Sequence, residues 1–541
     1  MRIRSREKLA KKNAAIVFLF LIPLIGISSY IMGGLYILYD INSFTFEIDE
    51  PNTDYFIPLE NINMSRLEEM AEIFDYRNRK FNSPVGYPVD VVFKNYSYTY
   101  DAIDYWKHTD NGALHNAYAL AAACMKYKVA LKEDDGAALK NITTNVKFYV
   151  QALENLIAAP NGGIGINPDT GEWYPGILSR FAVSYQDAKK YHPFMLEDHV
   201  RHHNGTGKYK NWRVRLKTSR DEVSGYYLGW ACVLKFIDPA VNEDSKWCIE
   251  HVKLMVEQVI RHWKKESNWL VLDYHGAPTG SDINSPDWQL AGLRIAATAF
   301  PEKYGSLYHY AASKMLHMGQ ASMGDWPNAG FEYYAWMLAG NSMFTLILLE
   351  DNPDLRHHYI KLYESGMYNT LKYHRNAYAN MLHLVFMSML GEEQVANFEN
   401  PKYPNDRVKW DVLDQLWRFH ESNWCPIRNY NLTERPHSTR STSENPEIRA
   451  KEVDASRKHW VDFINSHPIG WMYEWLIELF DMEDTLYKVP RTISEHWAQH
   501  MIWQSNPFKK EGGNPNGNGL IEPPGTSYTL IYWLGRAFEV I

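Results

Sequence analysis

The pattern of apolar and polar positions predicts helices over most of the chain after residue 110. Apolar residues recur at helical spacing, loops rich in Gly, Pro and Asn separate the segments, and the alternation typical of strands is scarce. About twelve helices are predicted, and they arrive largely in pairs. Their ranges are 112–131, 137–158, 220–238, 243–264, 287–299, 301–317, 332–350, 353–372, 376–391, 407–421, 456–481 and 527–541.

The predicted helices differ in how much of their surface is apolar. Segments 220–238 and 332–350 are apolar on more than one face, whereas 243–264 and 353–372 each carry a charged face. A helix that is apolar all round is enclosed by others, and a helix with a polar face lies at the surface. Because about 430 residues exceed the size at which one compact core stops growing, this alternation predicts an inner ring of helices wrapped by an outer ring.

The first forty residues have a different character. Residues 1–13 hold six basic side chains and one acid, and the next 26 residues, 14–39, contain no charged residue. That run exceeds the roughly 20 residues that a helix needs to cross a bilayer. We expect a transmembrane signal anchor, with 1–13 as a cytoplasmic tail and the large C-terminal part outside the cytoplasm. A cleaved signal peptide is the alternative.

The remaining segments divide the chain further. Residues 40–109 contain the extended-looking VDVVFKNYSYTY and predict a stalk and N-terminal elaboration with a short strand. Residues 110–541 are expected to form the helical domain. Two long loops at 159–219 and 422–455, both rich in Arg, His, Trp and Tyr, interrupt it.

Composition and charge narrow the class of protein. Of the 541 residues, 45% are hydrophobic and 22% are charged, which excludes a disordered or coiled-coil protein. The formal net charge is −8, so no nucleic-acid partner is expected.

Among only four cysteines, Cys232 and Cys248 lie on consecutive predicted helices; they either pair or, as we favour, remain buried thiols. Sequons for N-glycosylation stand at Asn63, Asn95, Asn141, Asn204 and Asn431.

Several motifs suggest a family. DNGALHNAYALAAACMKY at 110–127, followed by a helix and NGGIGINP, resembles the opening of six-hairpin glycosidase-like and polysaccharide-lyase-like toroids. TSRDEVSGYYLGWACVLKFI at 218–237 is similar to a further inner-helix start. The resemblance implies an all-α, (α/α)6-type toroid over about residues 100–541, with a glycan as ligand and without a cofactor.

In such a toroid the funnel is lined by the N-terminal ends of inner helices. Asp221 and Glu222 stand at one predicted start, where Ser219 is expected to cap the helix, and Asp110 with Asn111 stands at another. Hydrolysis of a glycoside usually needs two carboxyl groups, about 5–5.5 Å apart for retention or about 6.5–9.5 Å for inversion. Asp110 and Asp221 are the predicted pair, and helix capping is the alternative role for these acids.

A lyase would need a base that removes the proton next to a uronate carboxylate. His275, in the glycine-rich loop DYHGAPTG, and Tyr227 are candidates for that base. Arg220 and Asn111 would then neutralise the carboxylate. We place this reading below hydrolysis.

Other residues are candidates for substrate binding. His374 and Arg375 form another polar helix start, and the aromatic rings of Trp173, Trp288 and Trp326 are predicted to stack on sugars. The segment 197–203 places histidines at helical spacing, but a solvated loop is favoured there and no metal is expected.

The sequence thus predicts a membrane-anchored, extracytoplasmic, glycan-active enzyme. A glycoside hydrolase is favoured, and a polysaccharide lyase or a non-catalytic glycan-binding envelope protein is the alternative. The expected partners are a carbohydrate and, through residues 14–39, the lipid bilayer.

Overall fold

The computed structural model describes residues 50–264, 269–272, 278–282, 286–315, 333–421, 501–507 and 520–541, with single positions between 458 and 490. These residues are mostly helical, so the all-α prediction is confirmed. The helices are α1 (Met64–Arg77), α2 (Gly112–Lys132), α3 (Gly136–Asn161), α4 (Tyr185–Tyr191), α5 (Arg220–Phe236), α6 (Glu243–His262), α7 (Pro286–Ala299), α8 (Pro301–Met315), α9 (Tyr334–Leu349), α10 (Pro353–Tyr363), α11 (Asn369–Leu371), α12 (Ala377–Ser388), α13 (Glu392–Val395), α14 (Asn405–Trp417) and α15 (Thr526–Ala537).

Polar side chains fix where several helices begin. Asp135 accepts a hydrogen bond from the N–H of Ala138 at 2.9 Å at the start of α3. Asn242 does the same for Ser245 at 2.8 Å at the start of α6. Such caps satisfy N–H groups that have no partner within the helix. Gly162, with φ of 88°, ends α3 in the left-handed conformation that glycine adopts without strain.

Among the described residues, the six most completely buried helices are α2, α5, α7, α9, α12 and α15. Each of them contacts the next one in chain order, and α15 contacts α2. Their side chains belong to one hydrophobic core. This agrees with the apolar character of the predicted segments 220–238 and 332–350.

Each buried helix also contacts one helix that lies nearer the surface. The pairs are α2 with α3, α5 with α6, α7 with α8, α9 with α10, α12 with α14, and α15 with α1. Helix α6 shows the expected division of faces, because Val252, Met255 and Val259 are buried while Glu250 is exposed. The helices therefore occur in pairs in the fold, as the sequence predicts.

Helix α1 lies within 40–109 and is not among the predicted helices. Its residues Leu67 and Phe74 are buried in the same core as the later helices. The hydroxyl of Tyr528 on α15 donates to the carbonyl of Leu67 at 2.9 Å, and the indole of Trp533 donates to Asp75 at 2.9 Å. Residues 64–77 are thus packed against the end of the chain.

The short strand predicted within 40–109 is present. It is β1 (Val91–Phe93), and it pairs antiparallel with β2 (Ile103–Trp106) on one side and with β8 (Ile521–Glu522) on the other. This sheet therefore also joins the N-terminal region to the C-terminal one.

The segment 159–219, predicted as a loop, contains a second antiparallel sheet. Its strands are β3 (Phe181–Ser184), β4 (His202–Asn204) and β5 (Trp212–Arg215), in the order β3–β5–β4. A third sheet pairs β6 (Leu270–Leu272) with β7 (Pro278–Asp282). Strand pairing in 181–215 was missed because these strands have only three or four residues each, with little of the alternation that predicts a strand.

Three cysteines have buried, free thiols: Cys124, Cys232 and Cys248. The favoured prediction for Cys232 and Cys248 is therefore confirmed, and the alternative disulfide between them is wrong. Burial raises the pKa of the Cys232 thiol well above its ordinary value.

The predicted anchor at 14–39 and the loop at 422–455 lie outside the described residues. Within the part of the chain that the structure describes, no helix combines the length and the apolar character needed to cross a membrane.

Candidate functional site

The N-terminal ends of α2 and α5 lie side by side. Gly225 permits the close approach, because a Cβ atom there would lie 2.6 Å from the Cα atom of Leu114. Glu222, in the first turn of α5, accepts a hydrogen bond from the backbone N–H of Ala113 at 2.7 Å. The start of α5 therefore caps the start of α2.

Glu222 is fully buried at this junction, with 0% of its surface exposed. Its Oε1 atom has no hydrogen-bond partner among the described residues. Burial raises the pKa of Glu222 well above its usual range, against the opposing influence of the Arg180 charge and the Ala113 N–H. The protonated form of this carboxyl is thus favoured.

Asp110 stands just before α2 and is held by arginines. Its carboxylate lies 2.6 Å from Nη2 of Arg215 and 4.0 Å from Nη1 of Arg201. The side chain of Asp110 is 43% exposed, whereas that of Arg215 is only 10% exposed. Asp110 therefore offers an accessible carboxylate on a largely buried guanidinium.

Arg180 fixes the backbone turn that leads into α2. Its Nη1 donates to the carbonyl of Asp110 at 3.0 Å and to the side-chain oxygen of Asn111 at 2.9 Å. Its Nε donates to the carbonyl of Lys217 at 2.7 Å, which ties this turn to the one before α5. The N–H of Gly112 donates to the carbonyl of Arg180 at 3.0 Å, and a Cβ atom at Gly112 would collide with that oxygen.

The sheet β3–β5–β4 brings the three arginines together. The N–H of Arg180, just before β3, donates to the carbonyl of Arg215 on β5 at 2.8 Å, and the N–H of Leu216 donates to the carbonyl of Arg201, just before β4, at 2.9 Å. The three residues therefore occupy neighbouring positions at one end of the sheet. Sequence analysis missed Arg180, Arg201 and Arg215 as site residues; the only signal was the arginine content of 159–219.

The start of α5 exposes two of the predicted residues. Arg220 is exposed and Asp221 is partly exposed, unlike the adjacent Glu222. Ser219 has the extended conformation of a capping residue, but its side chain makes no capping hydrogen bond, so the predicted Ser219 cap is wrong. Glu222 makes a cap at the neighbouring helix instead.

A buried polar network lies beside α2 and α5. The amide of Asn341, on α9, donates to the hydroxyl of Tyr118 and to that of Ser224, both at 3.4 Å. Tyr378 donates its hydroxyl proton to Asn341 Oδ1 at 2.6 Å. The signal for Asn341 in the sequence is its position in the middle of the apolar segment 332–350.

Two of the predicted residues lie in the core. Tyr227 has 0% exposure and Trp288 has 5%. Their rings are 6.0 Å apart, and Trp288 lies in the first turn of α7. Neither side chain reaches the surface near Asp110.

Three further predicted residues stand in segments between the predicted helices: Trp173, His275 and Trp326. Trp173 is partly exposed in a hairpin, where it forms an isolated β-bridge with Ile166. The guanidinium of Arg261 lies 5.6 Å from the centroid of the Trp173 ring. His275 and Trp326 lie outside the described residues.

His374 and Arg375 are buried before α12 and have partners there. The Nδ1 atom of His374 lies 3.2 Å from the hydroxyl of Tyr333, and burial lowers the pKa of His374 to about 3. Arg375 forms buried ion pairs with Asp411, at 2.9 Å, and with Asp414. The structure therefore gives Arg375 a structural environment on α14 rather than one beside Asp110.

The histidines at 199–203 do not share a helix face. His202 and His203 belong to strand β4, so successive side chains point to opposite faces of the sheet. The helical spacing considered for this segment is therefore wrong. Within the described ranges, no group of three or more His, Cys, Asp or Glu side chains is arranged to hold a metal ion.

Comparison with protein-family models, with curated proteins and with solved structures finds no match to this chain. Function is therefore inferred from the residues themselves. The best supported site consists of Asp110, Asn111, Arg220 and Asp221, with the supporting residues described above.

Proposed function

We propose that this chain is a glycan-active enzyme, a glycoside hydrolase, in which Asp110 and Asp221 act on the glycosidic bond. The observation that carries the proposal is the meeting of the N-termini of α2 and α5. Two partly exposed carboxylates stand there, one at each helix start, around the buried Glu222. A pair of accessible carboxyl groups is what hydrolysis of a glycoside requires.

The order of helix contacts supports an (α/α)6-type toroid as the scaffold. The contacts among the six buried helices run from each to the next and return from α15 to α2, and each has an outer partner. A ring of this kind would place the starts of α2 and α5 at one mouth. The motifs at 110–127 and 218–237, which carry the resemblance to six-hairpin toroids, coincide with these two helices.

In the proposed reaction Asp221 donates a proton to the glycosidic oxygen as the bond to the anomeric carbon breaks. Asp110, held by Arg215, either takes a proton from the water that attacks the anomeric carbon from the other face, or bonds to that carbon itself. In the second route water then breaks the Asp110–sugar ester, with Asp221 accepting the proton of that water. Arg220 and Asn111 bind hydroxyl groups of the sugar. Trp173 extends the binding surface with a partly exposed ring.

The lyase alternative has less support because Tyr227, one of its two candidate bases, has no exposed surface. A base that removes a substrate proton must come within hydrogen-bond reach of it. We also propose that residues 14–39 anchor the chain in a bilayer with the enzyme outside the cytoplasm, because this run has no charge and a basic flank.

The test uses the purified full chain on a panel of neutral and uronate-containing polysaccharides. New reducing ends are measured together with the ultraviolet absorbance of an unsaturated product. We expect new reducing ends without that absorbance, and their loss in Asp110→Asn and Asp221→Asn. Asp354→Asn is the matched control, because Asp354 is an exposed acid in the first turn of α10.

Each other result points away from hydrolysis. Absorbance of an unsaturated product would mean elimination. Binding of a glycan without any cleavage, unchanged by the two Asn variants, would favour the non-catalytic protein. Activity that survives both Asn variants would remove Asp110 and Asp221 from the mechanism.

A further inference from the structure

Positive charge exceeds negative charge at the end of the sheet β3–β5–β4. Arg201 and Arg215 converge there on the carboxylate of Asp110, and Arg180 bonds to the backbone carbonyl of the same residue. At the start of α5, exposed Arg220 adjoins the partly exposed Asp221. This excess is local, since the whole chain has a formal charge of −8.

The hydrogen-bonding capacity of these arginines is not used up. Arg215 is only 8% exposed, yet its Nε atom has no hydrogen-bond partner among the described residues. The nearest atom of Arg201 lies 4.0 Å from Asp110, beyond the distance of a hydrogen bond. A buried donor without a partner is costly and usually indicates a missing ligand or water.

Arg180 differs from the other two. Its Nε and Nη1 atoms bond to the backbone of Lys217 and Asp110 and to the side chain of Asn111. It therefore holds the turn in place and adds its charge. Arg201, which is 33% exposed in its side chain, is the accessible guanidinium, and Arg215 is the one behind it.

We propose that Arg201 and Arg215 bind an oxyanion carried by the sugar, so that the substrate is an acidic glycan bearing carboxylate or sulfate groups. Guanidinium groups bind such oxyanions in a planar, bidentate manner that a hydroxyl group does not match. The inference rests on the proposed function, because the anion is assigned to a glycan held beside Asp110. Asp110 and Asp221 alone do not define the charge of the substrate, whereas the arginines do.

The position of the arginines indicates how the substrate would be oriented in the site. They lie on the Asp110 side of the junction, on the sheet that interrupts the helices between α3 and α5. The acidic group would therefore occupy the subsite next to Asp110, and Asp221 would face the glycosidic oxygen. The repulsion between the anion and Asp110 is offset by the two guanidiniums that both of them share.

The experiment measures binding of an oligogalacturonate, a malto-oligosaccharide of the same length and inorganic sulfate to the full chain by calorimetry at neutral pH. We expect the oligogalacturonate to bind and its affinity to fall about tenfold or more in Arg201→Gln, the size of one lost charge-assisted hydrogen bond. The loss should recur in Arg215→Lys, which keeps the charge but removes the planar fork. Arg201 is partly exposed, so its variant is expected to fold even where a change at the buried Arg215 does not.

Arg213→Gln is the matched control. It removes the same charge from the same sheet, but the Arg213 guanidinium is bonded to the Met195 carbonyl at 2.9 Å and to Asn204 at 2.9 Å. Its affinity for the oligogalacturonate should change less than twofold. An equal loss in Arg213→Gln and Arg201→Gln would overturn the proposal, since the effect would then come from overall charge.

The remaining outcomes separate the two proposals. If the malto-oligosaccharide binds and is cleaved while the oligogalacturonate is not bound, the acidic substrate is wrong and the hydrolase stands. If sulfate binds and its affinity depends on Arg201, but neither oligosaccharide binds, the oxyanion is not part of a glycan. If neither sugars nor sulfate bind, both proposals fall.

Discussion

The carboxyl group of Glu222 accepts a hydrogen bond from the N–H of Ala113, 109 positions earlier in the chain, across 2.7 Å. A single side chain thereby joins the starts of two neighbouring buried helices. It is fully buried, and the charges of the two acids proposed to react both act on it. The geometry of the candidate site therefore depends on a residue that a substrate does not touch.

We predict that Glu222→Gln preserves the fold, because the amide oxygen can still accept the bond from Ala113. Glu222→Ala leaves that buried N–H without a partner, which costs about 1–3 kcal/mol. Urea unfolding of the two variants and the parent measures this difference. Equal destabilisation by Gln and Ala would show that the hydrogen bond contributes nothing.

The same pair predicts a pH dependence. Since burial raises the pKa of Glu222 above its unfolded value, its contribution to stability is full below the unfolded pKa of about 4.3 and is lost as pH rises through the folded pKa. In Glu222→Gln the side chain at position 222 does not titrate. We expect the free energy of unfolding of Glu222→Gln, relative to the parent, to increase between acidic and alkaline pH.

Gly225 is predicted to be required for the contact of α2 with α5. In Gly225→Ala the new Cβ atom would meet the backbone of Leu114 at 2.6 Å, so the helices must separate, at a cost of about 1–3 kcal/mol or more. Gly305→Ala is the matched control, because nothing lies within 4 Å of its added Cβ atom on α8. That control should be about 0.5–1 kcal/mol more stable than the parent. Thermal unfolding distinguishes the two; similar effects would contradict the close approach.

Arg375 is predicted to act on stability rather than on the glycan. Its ion pairs with Asp411 and Asp414 are buried, with both acids 0% exposed in their side chains. Arg375→Gln leaves the buried Asp411 without its ion-pair partner, which typically costs about 3–5 kcal/mol, while Asp414 keeps its ion pair with Arg418 at 2.9 Å. Thermal unfolding of this variant is compared with that of Lys361→Gln, on exposed surface of α10. If Arg375→Gln unfolds at the same temperature as the parent but cleaves glycan poorly, Arg375 belongs to the site.

His383 is predicted to make stability depend on pH in the neutral range. Burial alone lowers its pKa, but the carboxylate of Glu364, 2.9 Å away, raises it above the ordinary value. The stabilisation is therefore full below the unfolded pKa of about 6.5 and is lost as pH rises through the folded pKa. Glu364→Gln should remove most of this slope in urea unfolding. Glu393→Gln, on the exposed surface of α13, should keep it.

Helix positions could be predicted from the sequence because local periodicity reflects burial. The start of α5 is predicted at residue 220 and is observed there, and α2 begins at the predicted residue 112. Glycine turns and the apolar spacing are local signals of this kind. The predicted helix 353–372 instead ends at Tyr363 and continues as a π-helical turn, Glu364–Tyr368.

The site could be predicted only where its residues are near a helix start. Asp110 and Asp221 were found because an acid at an N-terminus has a local signature. The arginines were missed because their convergence depends on strand pairing, which joins Arg201 to Leu216 across 15 positions. Burial of Tyr227 and Trp288 also escaped prediction, since the sequence does not show whether an aromatic residue in the first turns of a helix faces a cleft or the core.

The pairing of α1 with α15 has a consequence for how the protein is made. The bond from Tyr528 to Leu67 spans 461 positions, so α1 emerges from the ribosome long before its partner exists. Its apolar face, including Met70 and Phe74, stays partly uncovered until α15 has been made, because Phe74 packs against Tyr528. Contacts of such long range form late and slow folding. The nascent chain therefore closes this core only after α15 has been released.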